Sequence, residues 1–296
     1  MPEGDTIYRA ARALNRALAG QRVAGFETGY ALLARANDDA PLVGRVVEKV
    51  EARGKWMLMH FSGNLILVTH MLMNGTWHMY RHGERWQRPR SQMRIWIKTE
   101  PQRADVNGEP QGGWEAVAFL VPVAEFHTQK TLATHRMIPA LGPDLLSPEY
   151  AVEEGAAKLA EYAAAHPEAE VANVLLNQRV LAGIGNVFKS EICFATGVHP
   201  WQPVGSLTQA KMEKISEVAR KYLLANVKEG TVAGIVTYTG LRRTTGASNP
   251  GDRLWVYGRQ GKECRRCGAT ILMQKQGPGA RTTYWCPECQ VLRMTR

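Results

Sequence analysis

The chain has 296 residues, of which 45% are hydrophobic and 22% are charged. That balance is ordinary for a globular protein with a real core, and the length allows two domains with a small appendage. No apolar run approaches the ~18 residues that cross a membrane, and the start lacks the basic-then-apolar pattern of a signal peptide. We therefore expect a cytoplasmic protein that has no membrane partner.

The net charge is +10, and most of it lies near the C-terminus. Residues 242–296 contain eleven Lys and Arg but only three acidic residues, which leaves +8 in the last 55 residues. A concentrated positive charge of this kind indicates a surface for a polyanion, most simply nucleic acid. A solvated basic tail is the alternative.

The chain opens with Met1-Pro2-Glu3-Gly4-Asp5. Removal of Met1 would leave a secondary amine on Pro2. A terminal amine has a pKa near ~8, against ~10.4 for lysine, so roughly a tenth is unprotonated at neutral pH. Its attack on a sugar C1′ would give an iminium with no N–H to lose, which keeps its charge as an electron sink. Many chains begin Met-Pro without any catalytic role, so both interpretations stay open from these residues alone.

The first ~140 residues are rich in short strand-like runs. A helix is expected at 5–18 and strands at 43–50, 55–61, 65–70, 76–81, 93–98 and 116–121, separated by Gly, Asn and Pro. The stretch 101–113 is polar and predicts a loop. We expect a β-sandwich with flanking helices, followed by a helical region.

Alanine-rich amphipathic stretches begin near residues 147–149, a predicted helix start. Within 173–191 the pattern predicts a helix, a tight turn at Gly183 and Gly185, and a second helix. Backbone N–H groups at the start of that second helix predict a phosphate site. Asn186 stands there, either as an N-cap or as a side-chain amide offered to a phosphate.

Two C-x2-C pairs near the C-terminus predict one tetrahedral zinc ion. The ligands are Cys264, Cys267, Cys286 and Cys289, with 18 residues between the pairs. Four thiolates leave no open position, so the zinc is expected to be structural. Strands are predicted at 271–273 and 282–285, with a turn at 276–279. Arg281 near that turn is either a solvated charge or a nucleic-acid contact, and Cys193 is expected to be simply buried.

In this combination and order, the chain resembles the formamidopyrimidine-DNA glycosylase and endonuclease VIII family over essentially its whole length. The resemblance is carried by the Pro2-Glu3 start, Lys55 after a glycine, Asn186 after the glycine turn, and the four-cysteine finger with Arg281. The Pro-Glu-Gly start is similar to the endonuclease VIII branch, whereas the purine-repair branch begins Pro-Glu-Leu-Pro-Glu-Val.

The resemblance implies an α+β multidomain fold. Residues 1–140 would form a catalytic β-sandwich domain, 141–258 a helix–two-turn–helix DNA-binding domain, and 259–296 a zinc finger. It implies a bifunctional DNA glycosylase and AP lyase of base excision repair that acts on damaged double-stranded DNA, mainly on oxidised pyrimidines. Cleavage would proceed by β,δ-elimination.

The implied catalytic residues are Pro2, which attacks C1′, and Glu3, which serves as acid and base. Lys55 and Arg281 would hold phosphates around the flipped nucleotide, with Asn186 beside them. The base must leave the stack because C1′ is unreachable inside a duplex.

The triplet Leu72-Met73-Asn74 matches the family's intercalating position. Without the resemblance, Leu72 and Met73 would be better interpreted as sandwich core. The chain departs from the family at Asp5-Thr6, where many members have Pro-Glu, and the segment 241–257 gives no basis for a substrate assignment.

Two alternatives remain from the sequence. An oxidised-purine glycosylase would use the same chemistry, and a damaged-DNA-binding protein without catalysis would suit the ribbon and the basic tail equally. A zinc-ribbon transcription factor leaves the first 140 residues unexplained. We expect a monomer with no organic cofactor.

Overall fold

The computed structural model of the protein describes residues 2–101, 113–227, 242–245 and 252–292. They form two compact units, the first with Pro2 and residues 6–139 and the second with residues 3–5, 140–227, 242–245 and 252–292. Within these ranges, no helix combines the length and the apolar character needed to cross a membrane. The predicted loop at 101–113 lies almost wholly outside the described residues, and the division at 140 and 258 stays a prediction.

The first unit is the predicted β-sandwich of two antiparallel four-stranded sheets. In spatial order, one sheet consists of β1 (Val23–Thr28), β6 (Met93–Thr99), β7 (Trp114–Phe119) and β5 (Thr76–Arg81). The other consists of β2 (Val47–Arg53), β3 (Trp56–Phe61), β4 (Leu65–His70) and β8 (Val123–His127). The helices of this part of the chain are α1 (Gly4–Leu18), α2 (Ala31–Asp39) and α3 (Gln129–Leu132).

The strands follow from the burial of alternate residues. In β6, every second side chain from Met93 is buried, as a strand with one core face requires. β4 is buried on both faces, because Ile66 and Val68 pack against Leu132 and Ile138 while Leu65 and Leu67 belong to the sandwich core. This core fixes the β2–β3 hairpin, whose turn carries Lys55, and the connection that crosses from β4 in one sheet to β5 in the other, which carries residues 72–74.

Most predicted strand positions are confirmed, and the exceptions have local causes. The predicted strands 65–70 and 76–81 coincide with β4 and β5. β2 starts at Val47 rather than 43, because Gly44 turns the chain with a φ of 88°. The helix expected from 147 begins at Val152, since the Ser147 hydroxyl accepts the Glu149 N–H in a local turn at 3.2 Å.

The second unit contains the remaining helices and the ribbon hairpin. The elements are α4 (Val152–Ala165), α5 (Val171–Leu176), α6 (Asn186–Thr196), α7 (Gln209–Ala225), β9 (Leu272–Gln276) and β10 (Arg281–Trp285). Almost every residue of α6 is buried, and the helix contacts α5, α7 and β10. A helix enclosed on all sides is rigid, so the side chains at its start are held in fixed positions.

Candidate active site and nucleic-acid interface

The start of α6 is closed by Glu3, a residue more than 180 positions away in the sequence. The fully buried Glu3 carboxylate accepts the backbone N–H groups of Gly185 at 3.0 Å, Val187 at 2.8 Å and Phe188 at 3.4 Å. Gly185 is the N-cap and has no side chain, so this carboxylate satisfies the free N–H groups of the first turn. The prediction that these N–H groups bind a phosphate is therefore wrong, because the protein's own carboxylate occupies them.

The two glycines of the predicted turn bring the N-terminal segment against α6. The Gly4 N–H donates to the Gly183 carbonyl at 2.9 Å. A Cβ on Gly4 would lie 2.8 Å from the Gly183 Cα, and a Cβ on Gly185 would lie 2.3 Å from the Glu3 side chain. The sequence predicts that a ligand approaches this turn closely, but in the structure the backbone at Gly4 approaches the backbone at Gly183. Pro2 is bonded directly to this anchored segment.

Asn186 is the first residue of α6, and its side chain does not cap the helix. Its Nδ2 donates to the Thr282 hydroxyl at 3.2 Å and to the Tyr257 hydroxyl at 3.5 Å. The N-cap interpretation is therefore wrong. The Asn186 amide faces β10, where the exposed Arg281 directly precedes Thr282. The structure thus brings Asn186 close to the strand that carries Arg281.

Glu191 holds the segment before the ribbon against α6. Its buried carboxylate accepts the backbone N–H groups of Trp255 and Val256 at 2.9 Å and of Tyr257 at 2.8 Å, and the Thr244 hydroxyl donates to it. Burial raises the pKa of Glu191. This contact positions the Tyr257 ring beside Asn186. Neither residue was predicted to belong to the site, although Glu191 is the one acidic residue of α6.

In the first unit, Lys55 lies half-buried in the turn between β2 and β3. Burial, assisted by the positive charge of Lys55, lowers the pKa of His70 to about 4. His70 is therefore neutral at physiological pH, and its Nδ1 accepts the Leu72 N–H at 3.0 Å. His70 is thus close enough to Lys55 for that charge to lower its pKa, and it also holds the loop that follows β4 through its hydrogen bond to Leu72.

That loop, between β4 and β5, carries the predicted intercalating triplet. Leu72 and Met73 are 48% and 51% exposed, Asn74 is also exposed, and the adjacent Met71 is in the core. Leu72 adopts a φ of 45°, which is uncommon for a residue with a side chain. The interpretation of Leu72 and Met73 as core is wrong. Two apolar side chains instead form the exposed tip of a turn, as an inserted wedge requires.

Asp5, the residue at which the chain departs from the family pattern, forms a buried ion pair with Arg242. The Arg242 Nη2 lies 2.9 Å from Oδ1 of Asp5, and its Nε lies 3.1 Å from Oδ2. Asp5 is fully buried and the Arg242 side chain is 13% exposed. The guanidinium also lies 5.4 Å from the Phe188 ring. The pair joins the N-terminal segment to residues 242–245, while 246–251 lie outside the described residues.

We expect Asp5→Asn to lower the free energy of unfolding by about 3–5 kcal/mol, because it leaves a buried guanidinium without its counterion. Urea unfolding followed by tryptophan fluorescence measures the loss. Asp39→Asn, at an exposed carboxylate at the end of α2, is the control and should change stability by less than about 0.5 kcal/mol. Equal, small effects of both substitutions would contradict the role assigned to the pair.

The four predicted cysteines converge at one point of the ribbon. Their sulfurs all lie within 4.8 Å of one another. The Sγ atoms of Cys264 and Cys289 lie 3.9 Å apart, and Sγ of Cys267 lies 3.5 Å from those of Cys286 and Cys289. Tetrahedral zinc with Zn–S bonds of ~2.3 Å requires sulfurs about 3.8 Å apart, so the geometry fits one structural Zn²⁺. Cys193 is buried elsewhere on α6, and burial raises its pKa to about 12.

We expect Cys264→Ser to lose the zinc and weaken binding to all DNA, because β10 carries Arg281 and the small ribbon depends on metal for folding. Elemental analysis should give about one zinc per wild-type chain and none in the variant. Salt-matched DNA titrations then measure affinity. A metal-free variant with unchanged affinity would contradict a structural role for the ion.

Comparisons with known proteins agree with this architecture. The family model of the formamidopyrimidine-DNA glycosylase N-terminal domain matches residues 1–108. The model of the formamidopyrimidine-DNA glycosylase H2TH domain matches residues 141–236, and that of a zinc finger found in FPG and IleRS matches 261–291. The three matches follow one another in the order that the sequence motifs predict.

Relatives extend the likeness over the whole chain. A probable endonuclease 8 2 of Streptomyces coelicolor is 38% identical, covering 98% of this chain and 94% of the relative. A DNA-(apurinic or apyrimidinic site) lyase Nei2 of Mycolicibacterium smegmatis is 35% identical, covering 98% and 99%. Lactococcus lactis Fpg, solved in complex with DNA containing an abasic site, shares the fold with a TM-score of 0.77 at 19% identity, over 98% and 100% of the two chains.

Proposed function

The chain belongs to the formamidopyrimidine-DNA glycosylase and endonuclease VIII family, in its endonuclease VIII branch, and we propose that it excises oxidised pyrimidines through a covalent intermediate on Pro2. It is a bifunctional DNA glycosylase and AP lyase of base excision repair. In this proposal it acts as a monomer in the bacterial cytoplasm, on damaged double-stranded DNA.

In the proposed reaction, the unprotonated Pro2 amine attacks C1′ of the damaged nucleotide, and the C1′–base bond breaks as the base leaves with its electron pair and gains a proton. The sugar ring opens to give an iminium between Pro2 and C1′. This cation acidifies the C2′ proton, whose loss expels the 3′ phosphate by β-elimination. Loss of a C4′ proton then expels the 5′ phosphate by δ-elimination, and water releases Pro2.

The observation that carries the proposal is the anchoring of Glu3. Three backbone N–H groups hold its carboxylate at the start of α6, and Pro2 directly precedes Glu3 in the chain. A carboxylate fixed beside the amine can exchange protons with the sugar oxygen and oppose the positive charge of the iminium. A DNA-binding protein without catalysis has no use for a terminal amine next to a carboxylate held in this way.

The contacts to DNA divide between the two units. In the second, Asn186 and Arg281 supply an amide and a guanidinium suited to backbone phosphate. In the first, Lys55 supplies an ammonium group, and Met73, flanked by Leu72 and Asn74, supplies the wedge that fills the space of the extruded nucleotide. These roles are consistent with the exposure of Arg281 and of the Leu72–Asn74 turn.

The test is to incubate the zinc-loaded protein with an oligonucleotide that contains one abasic site and to add borohydride. A covalent adduct that maps to Pro2, with Met1 absent, is expected. Parallel excision from duplexes with thymine glycol and with 8-oxoguanine then reports the lesion, and the pyrimidine lesion should be removed faster. Faster removal of 8-oxoguanine would favour an oxidised-purine glycosylase, and absence of any adduct despite DNA binding would favour a non-catalytic damage-binding protein.

A further inference from the structure

Lys189, on α6, is a buried amine that the proposed reaction does not use. The residue is fully buried, and its Nζ has no hydrogen-bond partner among the residues that the structure describes. A buried ammonium without a partner is costly, because the low-dielectric interior disfavours an uncompensated charge. Burial accordingly lowers the pKa of Lys189 to about 8. Near neutral pH, this lysine can therefore gain or lose a proton with little cost.

The position of Lys189 relates it to the proposed phosphate contacts. It follows Asn186 by three residues, so the two side chains lie on one face of α6. The Oδ1 atom of Asn186 is likewise buried with no partner within the described residues, while its Nδ2 faces Thr282. The start of this helix face thus holds two unsatisfied polar atoms beside the strand that begins with Arg281.

The charged and titratable groups around Lys189 come from four parts of the second unit. Glu3 precedes α1, Glu170 precedes α5, Cys193 is on α6 itself, and Arg281 is on β10. Glu3 is bonded to the first turn of α6, and Glu170 accepts from the side chains of Asn173 and Gln276. Both carboxylates therefore already have partners, and the positive charge of Arg281 further opposes an ammonium at Lys189.

We propose that Lys189 takes up one proton when a DNA phosphate binds at Asn186 and Arg281, and that the resulting ammonium stabilises that phosphate from beneath the contact surface. The proton comes from solvent, and the phosphodiester provides the negative charge that the free protein lacks at this point. This inference rests on the proposed function only in placing a DNA phosphate at this face. It requires neither the Pro2 chemistry nor a particular lesion.

The direction in which DNA affinity changes with pH follows from the coupling between proton uptake and DNA binding. The protonated form binds DNA more tightly, so the pKa of Lys189 rises in the complex and affinity falls as pH rises above the free value. With a free pKa of about 8 and a bound pKa near its ordinary value of ~10.4, affinity should fall about tenfold between pH 7 and pH 9. The terminal amine also titrates here, so the contribution of Lys189 must be isolated by comparing variants.

The experiment measures binding to a duplex with a tetrahydrofuran abasic analogue, which cannot form an iminium, from pH 6.5 to 9.5 at constant ionic strength. Wild type is compared with Lys189→Met and Lys189→Arg. Lys189→Met, which stands in for the neutral lysine, should bind about 200-fold more weakly than wild type at pH 7, and the difference should shrink to about tenfold at pH 9.5. Lys189→Arg, which keeps a charge that does not titrate, should show the flatter pH dependence. Parallel curves for all three proteins would overturn the proposal.

Calorimetry of the wild-type protein gives a second measurement that does not depend on a variant folding. Titration at pH 8.5 in two buffers of different ionisation enthalpy should show net proton uptake on binding the same duplex, and Lys189→Arg should lack most of it. Equal uptake by both proteins would assign the proton to another group and overturn the proposal. A positive result together with no borohydride adduct would instead reject the proposed catalysis while leaving this linkage intact.

Discussion

Pro2→Gly should reduce strand cleavage at an abasic site by at least about 100-fold, equivalent to about 2.7 kcal/mol in the barrier, while DNA affinity changes little. The variant still presents a terminal amine once Met1 is removed, but a primary one. Its iminium carries an N–H proton and can lose it to become a neutral imine, without the positive charge that drives elimination, whereas the iminium on proline cannot. The defect should therefore grow as pH rises from 6 to 9.

Single-turnover cleavage and borohydride trapping measure this effect, and binding to the tetrahydrofuran duplex measures affinity. Pro148→Gly, at an exposed proline before α4, is the matched control and should behave as wild type. A fall in affinity as large as the fall in cleavage would indicate misfolding rather than lost chemistry. Unchanged cleavage by Pro2→Gly would remove the Pro2 iminium from the mechanism.

The residue types that carry the chemistry were visible in the sequence because each has a local signature. The cysteine pairs have a fixed spacing, and the Pro2-Glu3 start and the glycine turn before Asn186 are short contiguous motifs. Strands whose side chains are almost all buried, such as β4 and β5, were also predictable as short apolar runs. Such features depend on near neighbours in the chain, which sequence patterns report well.

What the sequence could not give depends on contacts between distant residues. β1 and β8 were not predicted because they are edge strands with few buried side chains, so neither shows a clear alternation. The use of the α6 N-terminus was predicted wrongly for a related reason. Free N–H groups at a helix start favour any anion, and the sequence does not reveal that Glu3 is the anion that arrives.

The Asp5–Arg242 pair shows the same limit in another form. The acid at position 5 was identified as a departure from the family pattern, but its partner lies 237 residues away in a segment whose sequence suggested no role. The structure explains why an aspartate suits this position: the N-terminal segment packs so closely against the Gly183 turn that a short side chain reaches the guanidinium. Asp5 thus supports the N-terminal segment two residues after Glu3.

Gly185→Ala should reduce base excision by about 10²–10⁴-fold, the range expected when a positioned acid or base is lost. An added Cβ would lie 2.3 Å from the Glu3 side chain, so the carboxylate must leave the start of α6. The backbone itself tolerates alanine, because φ is −122° and ψ is −162°. The loss would therefore report on the placement of Glu3 rather than on strain in the turn.

A double-mutant cycle with Glu3→Gln separates this cause from general damage. If Gly185→Ala acts only by displacing Glu3, the double variant should be no slower than the slower single variant, because the second change removes nothing further. Gly29→Ala, where an added Cβ would have its nearest neighbour at 3.5 Å, is the control and should keep full activity. Additive losses in the cycle would mean that the turn contributes to catalysis independently of Glu3, and a fully active Gly185→Ala would show that catalysis does not require the carboxylate at the helix start.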